Sequence, residues 1–157
     1  MRLAVPLAAA LLGCVLAGSA IAADDAVTVD GHAEHKLQLT VADLKAMPQS
    51  AVDVTFETGH GPQSGHYDGA LLWDVVQKAG ITDEPGAKAK HHLQHALIVT
   101  GRDGYAVAVS IGEIDPDFAN KTVLLVDDSA GKGVRLIVPG DKKGGRDVRD
   151  VVRIEIE

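Results

Sequence analysis

Cysteine is nearly missing from this sequence: among 157 residues only Cys14 is one. It lies within the apolar run Leu3 to Leu16, which follows a minimal basic start, Met1-Arg2. Ala20-Ile21-Ala22 then supplies the small-x-small pattern of a leader cleavage site. Cleavage after Ala22 leaves 135 of the 157 residues and no cysteine. A mature chain of that kind has no disulfide, no thiolate metal ligand and no cysteine nucleophile. Leu11-Leu12-Gly13-Cys14 loosely fits a lipoprotein box. The small apolar run continues past Cys14 to Ala23 without a polar sorting residue, so soluble export to the periplasm is expected.

Aromatic residues are also scarce, at 3%, and basic residues are outnumbered, 15 against 22 acidic ones. The formal charge is −7, and removal of Arg2 with the leader takes it to −8. That balance speaks against a nucleic-acid partner. No second apolar run approaches bilayer length. The mature length, residues 23–157, fits one domain with a proper core.

The densest chemistry lies near the C-terminus, in VRLIVPGDKKGGRDVR, Val134 to Arg149. A short apolar strand opens it and Pro139-Gly140 ends that strand. Lys142, Lys143, Gly144, Gly145 and Arg146 follow, and a strand from Val151 to Ile156 closes the chain. A glycine-rich loop with cationic side chains can present N–H groups and positive charge to an anion. A solvated surface hairpin is the plainer alternative.

Upstream, Val27, Val29, Leu37 and Leu39 predict two short strands around Asp30-Gly31. Thr40 and Asp43 form an approximate capping box for a helix Val41 to Met47, stopped by Pro48. Val52, Val54 and Phe56 alternate with polar residues as a half-buried strand. Thr58 to Gly69, TGHGPQSGHYDG, has four glycines and a proline and reads as an irregular loop. A helix Ala70 to Ala79 is expected next, with Leu71, Leu72, Val75 and Val76 on one side, Trp73 in the core and Gly80 as C-cap. Thr82 to Lys90 reads as a polar loop. Ala96 to Thr100 and Ala106 to Val109 pair around Arg102-Asp103-Gly104-Tyr105. Ser110 to Ile114 is a short helical piece, Thr122 to Val126 a strand, and Asp127 to Gly133 a polar turn. Strands dominate, so the fold class is α+β.

His91, His92 and His95 would suit zinc or copper on one face of a helix. They fall beside lysines where no stable helix is expected, and read as a polar lead-in to a strand. His60 and His66 flank the glycine-rich stretch, where a histidine can bind a ligand without holding metal; an ordinary loop histidine is the alternative. Ser64 and Ser110 lack a nucleophile-elbow context.

Taken together, LTVADLKAMPQ, VTF with its glycine-rich sequel, YDGALLWDVVQKAGI, GRDGYAVAVSIGEIDP and VRLIVPGDKKGGRDVRDVVRIEI, in this order and spacing, resemble the molybdopterin-binding domain of the sulfite-oxidase family. The resemblance is closer still to the small exported single-domain members of that fold, and it covers Val27 to Glu157. It implies a mixed α+β fold and a pterin cofactor whose phosphate is held by basic residues. Arg135 matches the arginine before the VPG turn, and Arg146 and Arg149 match the basic pair before the last strand. Asp103, Gly104 and Tyr105 match the D-G-Y turn, with Ser110 downstream. His60 lies where the family approaches its cofactor. The resemblance thus implies that Glu57 or Asp103 pairs with the pterin edge and that Tyr105, Trp73 or His60 stacks on it. Arg135, Arg146 and Arg149, with Lys142 or Lys143, then take the anionic tail. A structural role for the arginines, paired with Asp147 and Asp150, is the alternative.

One departure shapes the functional expectation. In the catalytic enzymes of the family a cysteine at the end of the strand that carries VTF gives a thiolate to molybdenum; here that place is Glu57-Thr58. Oxygen donors are harder and weaker for such a centre. The resemblance therefore implies a pterin-binding periplasmic sensor, or a partner of a membrane signalling or redox protein. A molybdopterin-dependent oxidoreductase using Glu57, and an interaction module without ligand, are the alternatives.

Overall fold

The computed structural model describes residues 26–82, 91–128 and 133–157. The expected leader, most of the Thr82 to Lys90 loop and part of the Asp127 to Gly133 turn lie outside those residues. Strands dominate, as expected. β1 (Val27–Gly31) and β2 (Leu37–Leu39) precede α1 (Val41–Ala46). A long hairpin, β3 (Gln49–Thr58) and β4 (Gly61–Leu71), leads into α2 (Leu72–Ala79). β5 (Ala96–Gly101), β6 (Ala106–Ser110) and α3 (Ile111–Ile114) follow, then β7 (Leu124–Asp127), β8 (Val134–Ile137) and β9 (Val151–Ile156).

Two sheets result: β2-β1-β9-β5-β6, in which β1 and β9 run parallel, and β3-β4-β7-β8, which is antiparallel. Period-2 alternation sends Val27, Val29, Leu97, Val99, Val109, Ile154 and Ile156 of the first sheet into the main core. Its other face carries polar residues, where Arg153 pairs with Asp30 at 2.9 Å and Glu155 at 2.6 Å. A smaller apolar cluster, Val54, Leu124, Val126 and Ile137, underlies the second sheet, with Phe56 and Tyr67 packed on it.

Local signals hold where they are local. Thr40 caps α1 as expected: the Asp43 N–H donates to Thr40 Oγ1 at 3.2 Å, and the Thr40 N–H donates to Asp43 Oδ2 at 2.8 Å. Leu72, Val75, Val76 and Ala79 give α2 its buried stripe, and Gly80, at φ +70°, ends it. Leu71, however, belongs to β4, and Trp73 is half-buried rather than core. His91–Gln94 forms a single 3-10 turn.

The expected irregular loop Thr58 to Gly69 is instead a turn and most of a strand. β4 pairs with β3 in continuous register, from Gln49 opposite Ala70 to Thr58 opposite Gly61. Gly59-His60 makes a two-residue turn. Thr58 Oγ1 donates to the Gly61 carbonyl at 2.8 Å and accepts from the His60 N–H at 3.1 Å. Cross-strand partners then override weak strand propensity: Thr55 meets Ser64 at 2.8 Å, and His66 meets Asp53 at 2.7 Å. Gly69 is where β4 meets β7 closely: a Cβ there would lie 2.4 Å from the Leu125 carbonyl oxygen. Only Ala70 and Leu71 pair with β7, so the rest of the hairpin reaches away toward the C-terminal loop.

Candidate functional site

The tip of the β3–β4 hairpin and the loop between β8 and β9 come together. The Glu57 N–H donates to the Lys142 carbonyl at 2.8 Å, and Glu57 and Lys143 form a parallel bridge. Gly144 opens a 3-10 turn, Gly144–Arg146, and presses on the Phe56 ring, 2.9 Å from where a Cβ would be. Between hairpin and loop lies a cleft of about 420 Å³. Glu57, His60 and Gln63 line it from the hairpin, Lys143 and Arg149 from the loop, and Arg135 and Asp147 beneath. That volume falls in the range of small-ligand sites.

Arg135 projects from β8 with 12% of its side chain exposed, and Asp147 beside it has 7%. Arg135 Nη2 lies 3.5 Å from Asp147 Oδ2, and Nη1 donates to the Tyr67 hydroxyl at 3.4 Å. Its guanidinium carbon sits 5.4 Å from the Tyr67 ring centroid. The Nε–H is buried and has no partner among the described residues. A buried donor left unmade is costly, and at a cleft floor it marks a place for an acceptor. Burial pushes the Asp147 carboxyl above the usual range, against the N–H of Val138, 3.1 Å from Oδ1, and the charge of Arg135.

Cations are distributed unevenly. Among the described residues, Lys36, Lys45, Arg102, Lys121, Arg135, Arg146 and Arg153 each stand within 4.0 Å of a carboxylate. Lys78, Lys142, Lys143 and Arg149 do not, and three of these four lie on the β8–β9 loop. In a chain of net charge −7, that leaves one concentration of unneutralised positive charge on the described surface.

Of the residues singled out from sequence, Glu57, His60, Arg135, Lys143 and Arg149 share this cleft. The other four do not line it. Arg146 turns away and is clamped between Asp141, at 2.7 Å, and Glu113, at 3.2 Å. The hydrogen bonds that Arg146 donates to these carboxylates raise its pKa, and the same guanidinium lowers that of Asp141. Burial would raise Glu113, but hydrogen bonds from Lys121 and Arg146 outweigh it and hold the carboxyl low. Ser110 precedes α3, and its N–H donates to Glu113 Oε2 at 3.2 Å. Asp103 Oδ1 accepts the Tyr105 N–H at 3.0 Å, and the Tyr105 hydroxyl donates to the Gly145 carbonyl at 2.6 Å. Sequence reasoning missed Gln63 and Tyr67, both on the unrecognised strand β4, and Asp147 entered only as a structural partner for the arginines, the role in which it stands 3.5 Å from Arg135.

The residues suit an anion better than a thiolate-ligated metal. At the end of β3, the Thr58 hydroxyl is spent on the hairpin turn and Glu57 is exposed. Among the described residues no group of three or more histidines, cysteines or carboxylates is placed to hold a metal ion. The same holds for the histidines of the polar lead-in: His92 Nε2 pairs with Asp115 at 2.9 Å, whereas the His95 ring bonds the Glu157 carbonyl at 2.8 Å. Elsewhere Trp73, Gln77, His92 and Asp115 border a second cleft of about 360 Å³. No described helix is long and apolar enough to cross a membrane.

No known family profile matches the sequence, and no curated protein matches it. Among solved structures, the sulfane dehydrogenase SoxCD from Paracoccus pantotrophus matches with a TM-score of 0.64 at 19% identity. The match covers 83% of this chain and 37% of that one, so this chain spans well under half of its neighbour. At such identity the likeness is one of fold: a mixed α+β architecture of two sheets and few short helices, the sulfite-oxidase-type fold expected from the sequence.

Proposed function

We propose that this is an exported pterin-binding protein that uses the sulfite-oxidase-type fold without a molybdenum–thiolate centre. In this reading it serves in the periplasm as a sensor, or as the partner of a membrane signalling or redox protein. The supporting observation is the cleft itself, in which, among the described residues, Lys143 and Arg149 stand in no ion pair above an Arg135 Nε–H without a partner. A phosphate or other anionic tail is the complement of such a group. Glu57 offers acceptors to the amino edge of a pterin, and His60 and Phe56 offer flat faces. The chain contributes binding and orientation, and no step of chemistry is assigned to it.

The test is made on the mature chain, Ala23 onward, exported from its native host. Elemental analysis for molybdenum is combined with mass and fluorescence analysis of small molecules released on denaturation. A pterin released without stoichiometric molybdenum is the expected result. Stoichiometric molybdenum with molybdopterin overturns the sensor reading in favour of an oxidoreductase with a non-cysteine site. Release of nothing leaves an interaction module.

A further inference from the structure

The loop that carries Lys143 and Arg149 is held at most of its positions by contacts that can be named. Lys142 is bonded to Glu57, Gly144 leans on Phe56, Arg146 is clamped by Asp141 and Glu113, and Asp147 holds the Val138 N–H. Gly145 is different. A Cβ built there would meet nothing within 4 Å, so packing does not hold it. Among the described residues, the polar tie that reaches it from outside the loop is the 2.6 Å hydrogen bond from the Tyr105 hydroxyl.

Tyr105 is placed for that task by its own backbone. Gly101 N–H donates to the Tyr105 carbonyl at 2.8 Å, Gly104 N–H to the Gly101 carbonyl at 3.0 Å, and the Tyr105 N–H to Asp103 at 3.0 Å. The side chain is 52% exposed. A ring that exposed is not there for the core; its hydroxyl proton goes to the carbonyl of a glycine 40 residues away. Tyr105 is absent from the lining of the cleft. A glycine pair is the most freely rotating part of any loop, so an untethered Gly144-Gly145 would let Lys143 and Arg149 drift relative to one another. Ordering them only on binding would cost affinity.

We propose that Tyr105 is a positioning residue for the cleft: by fixing the Gly145 carbonyl it holds the turn between Lys143 and Arg149 in its anion-binding shape, without touching the ligand. The proposal rests on reading the cleft as an anion site. It implies that the affinity of this site is set partly by the hairpin turn of the other sheet.

The experiment titrates inorganic pyrophosphate into the mature wild type, Y105F and R149A at low and high salt, and follows amide exchange at Gly144 to Asp147. Removal of one hydrogen bond should weaken pyrophosphate binding of Y105F about fivefold. The factor should be the same at both salt concentrations, with faster exchange at Gly145 and Arg146. R149A should lose more at low salt, because it removes a screened charge. A Y105F loss that shrinks with salt, as in R149A, means the hydroxyl meets the anion and overturns the positioning role. Unchanged exchange in Y105F overturns it whatever the ligand. Pyrophosphate that fails to bind the wild type overturns the anion-cleft reading itself, and the exchange measurement still decides whether the tether exists.

Discussion

Arg135 lies over the ring of Tyr67, with its guanidinium carbon 5.4 Å from the ring centroid, and on its other side Nη2 stands 3.5 Å from Asp147. One side chain of β8 thus joins the β3–β4 hairpin to the C-terminal loop at the floor of the cleft. Its partners are long contacts, which leaves the guanidinium available to a ligand while it still neutralises a buried carboxylate.

Arg135→Ala removes the counter-charge of Asp147, whose carboxyl burial already raises. Breaking such a pair costs about 2–3 kcal/mol at pH 7, discounted for the long separation. The sign with pH follows from the raised carboxyl. A folded-state pKa above the unfolded one gives stability that is fully present below the unfolded value and lost as pH rises through the folded value. The Arg135→Ala defect should therefore shrink as pH falls from 7 to 4, because a raised carboxyl takes up its proton earlier on acidification than an ordinary one. Urea unfolding at the two pH values checks it; equal losses at both would show that Asp147 does not feel Arg135.

The Asp141–Arg146–Glu113 clamp should behave in the opposite sense. Both carboxyls are held low in the folded protein, by the Arg146 hydrogen bonds and, for Glu113, also by Lys121. Their contribution is present above the unfolded carboxylate values, about 4, and is lost as pH falls through the lower folded values. Arg146→Ala should cost about 1–2 kcal/mol at pH 7, since the three side chains are roughly a quarter exposed. That cost should fade in acid. A clamp that contributes nothing would leave Arg146→Ala as stable as the wild type at pH 7.

How much of this was visible in the sequence depended on the range of each contact. The Thr40–Asp43 box spans three residues and was legible, as was the β5–β6 turn at Arg102 to Tyr105. The basic loop was legible as composition, and five of nine chosen residues do meet in one cleft. β4 was not legible, because Gly61, Pro62, Gly65 and Gly69 signal turns, and only pairing with β3 makes them a strand. Nor was the difference between Arg146 and Arg149. They are three residues apart, yet a glutamate 33 residues upstream neutralises Arg146, whereas Arg149 stands in no ion pair among the described residues. Tertiary pairing of that kind leaves no periodic trace.

Two glycines separate steric need from chance. A Cβ at Gly69 would stand 2.4 Å from a backbone oxygen of β7, whereas one at Gly145 would meet nothing within 4 Å. Gly69→Ala must push the two strands apart at their only junction and should cost about 2–3 kcal/mol. Gly145→Ala should leave the melting midpoint unchanged or raise it slightly, because it restricts only the unfolded chain. Thermal unfolding of both variants checks the contrast. A destabilised Gly145→Ala would mean that the loop needs the freedom of glycine there.

Lys143 and Arg149 give the cleanest separation of binding from stability. Both are exposed and stand in no ion pair among the described residues, so replacing them removes no native contact of consequence. Surface changes of this kind usually stay within about 0.5 kcal/mol. The Lys143→Ala/Arg149→Ala double variant should fold and melt like the wild type. It should nevertheless lose at least about tenfold of the small molecule carried through purification, because two charge-assisted contacts to an anion are each worth more than 1 kcal/mol. Quantifying released ligand by mass analysis, at matched protein concentration and salt, decides it. A variant that keeps its full load would place the ligand outside this cleft, and the unneutralised charge of the loop would then need a different partner.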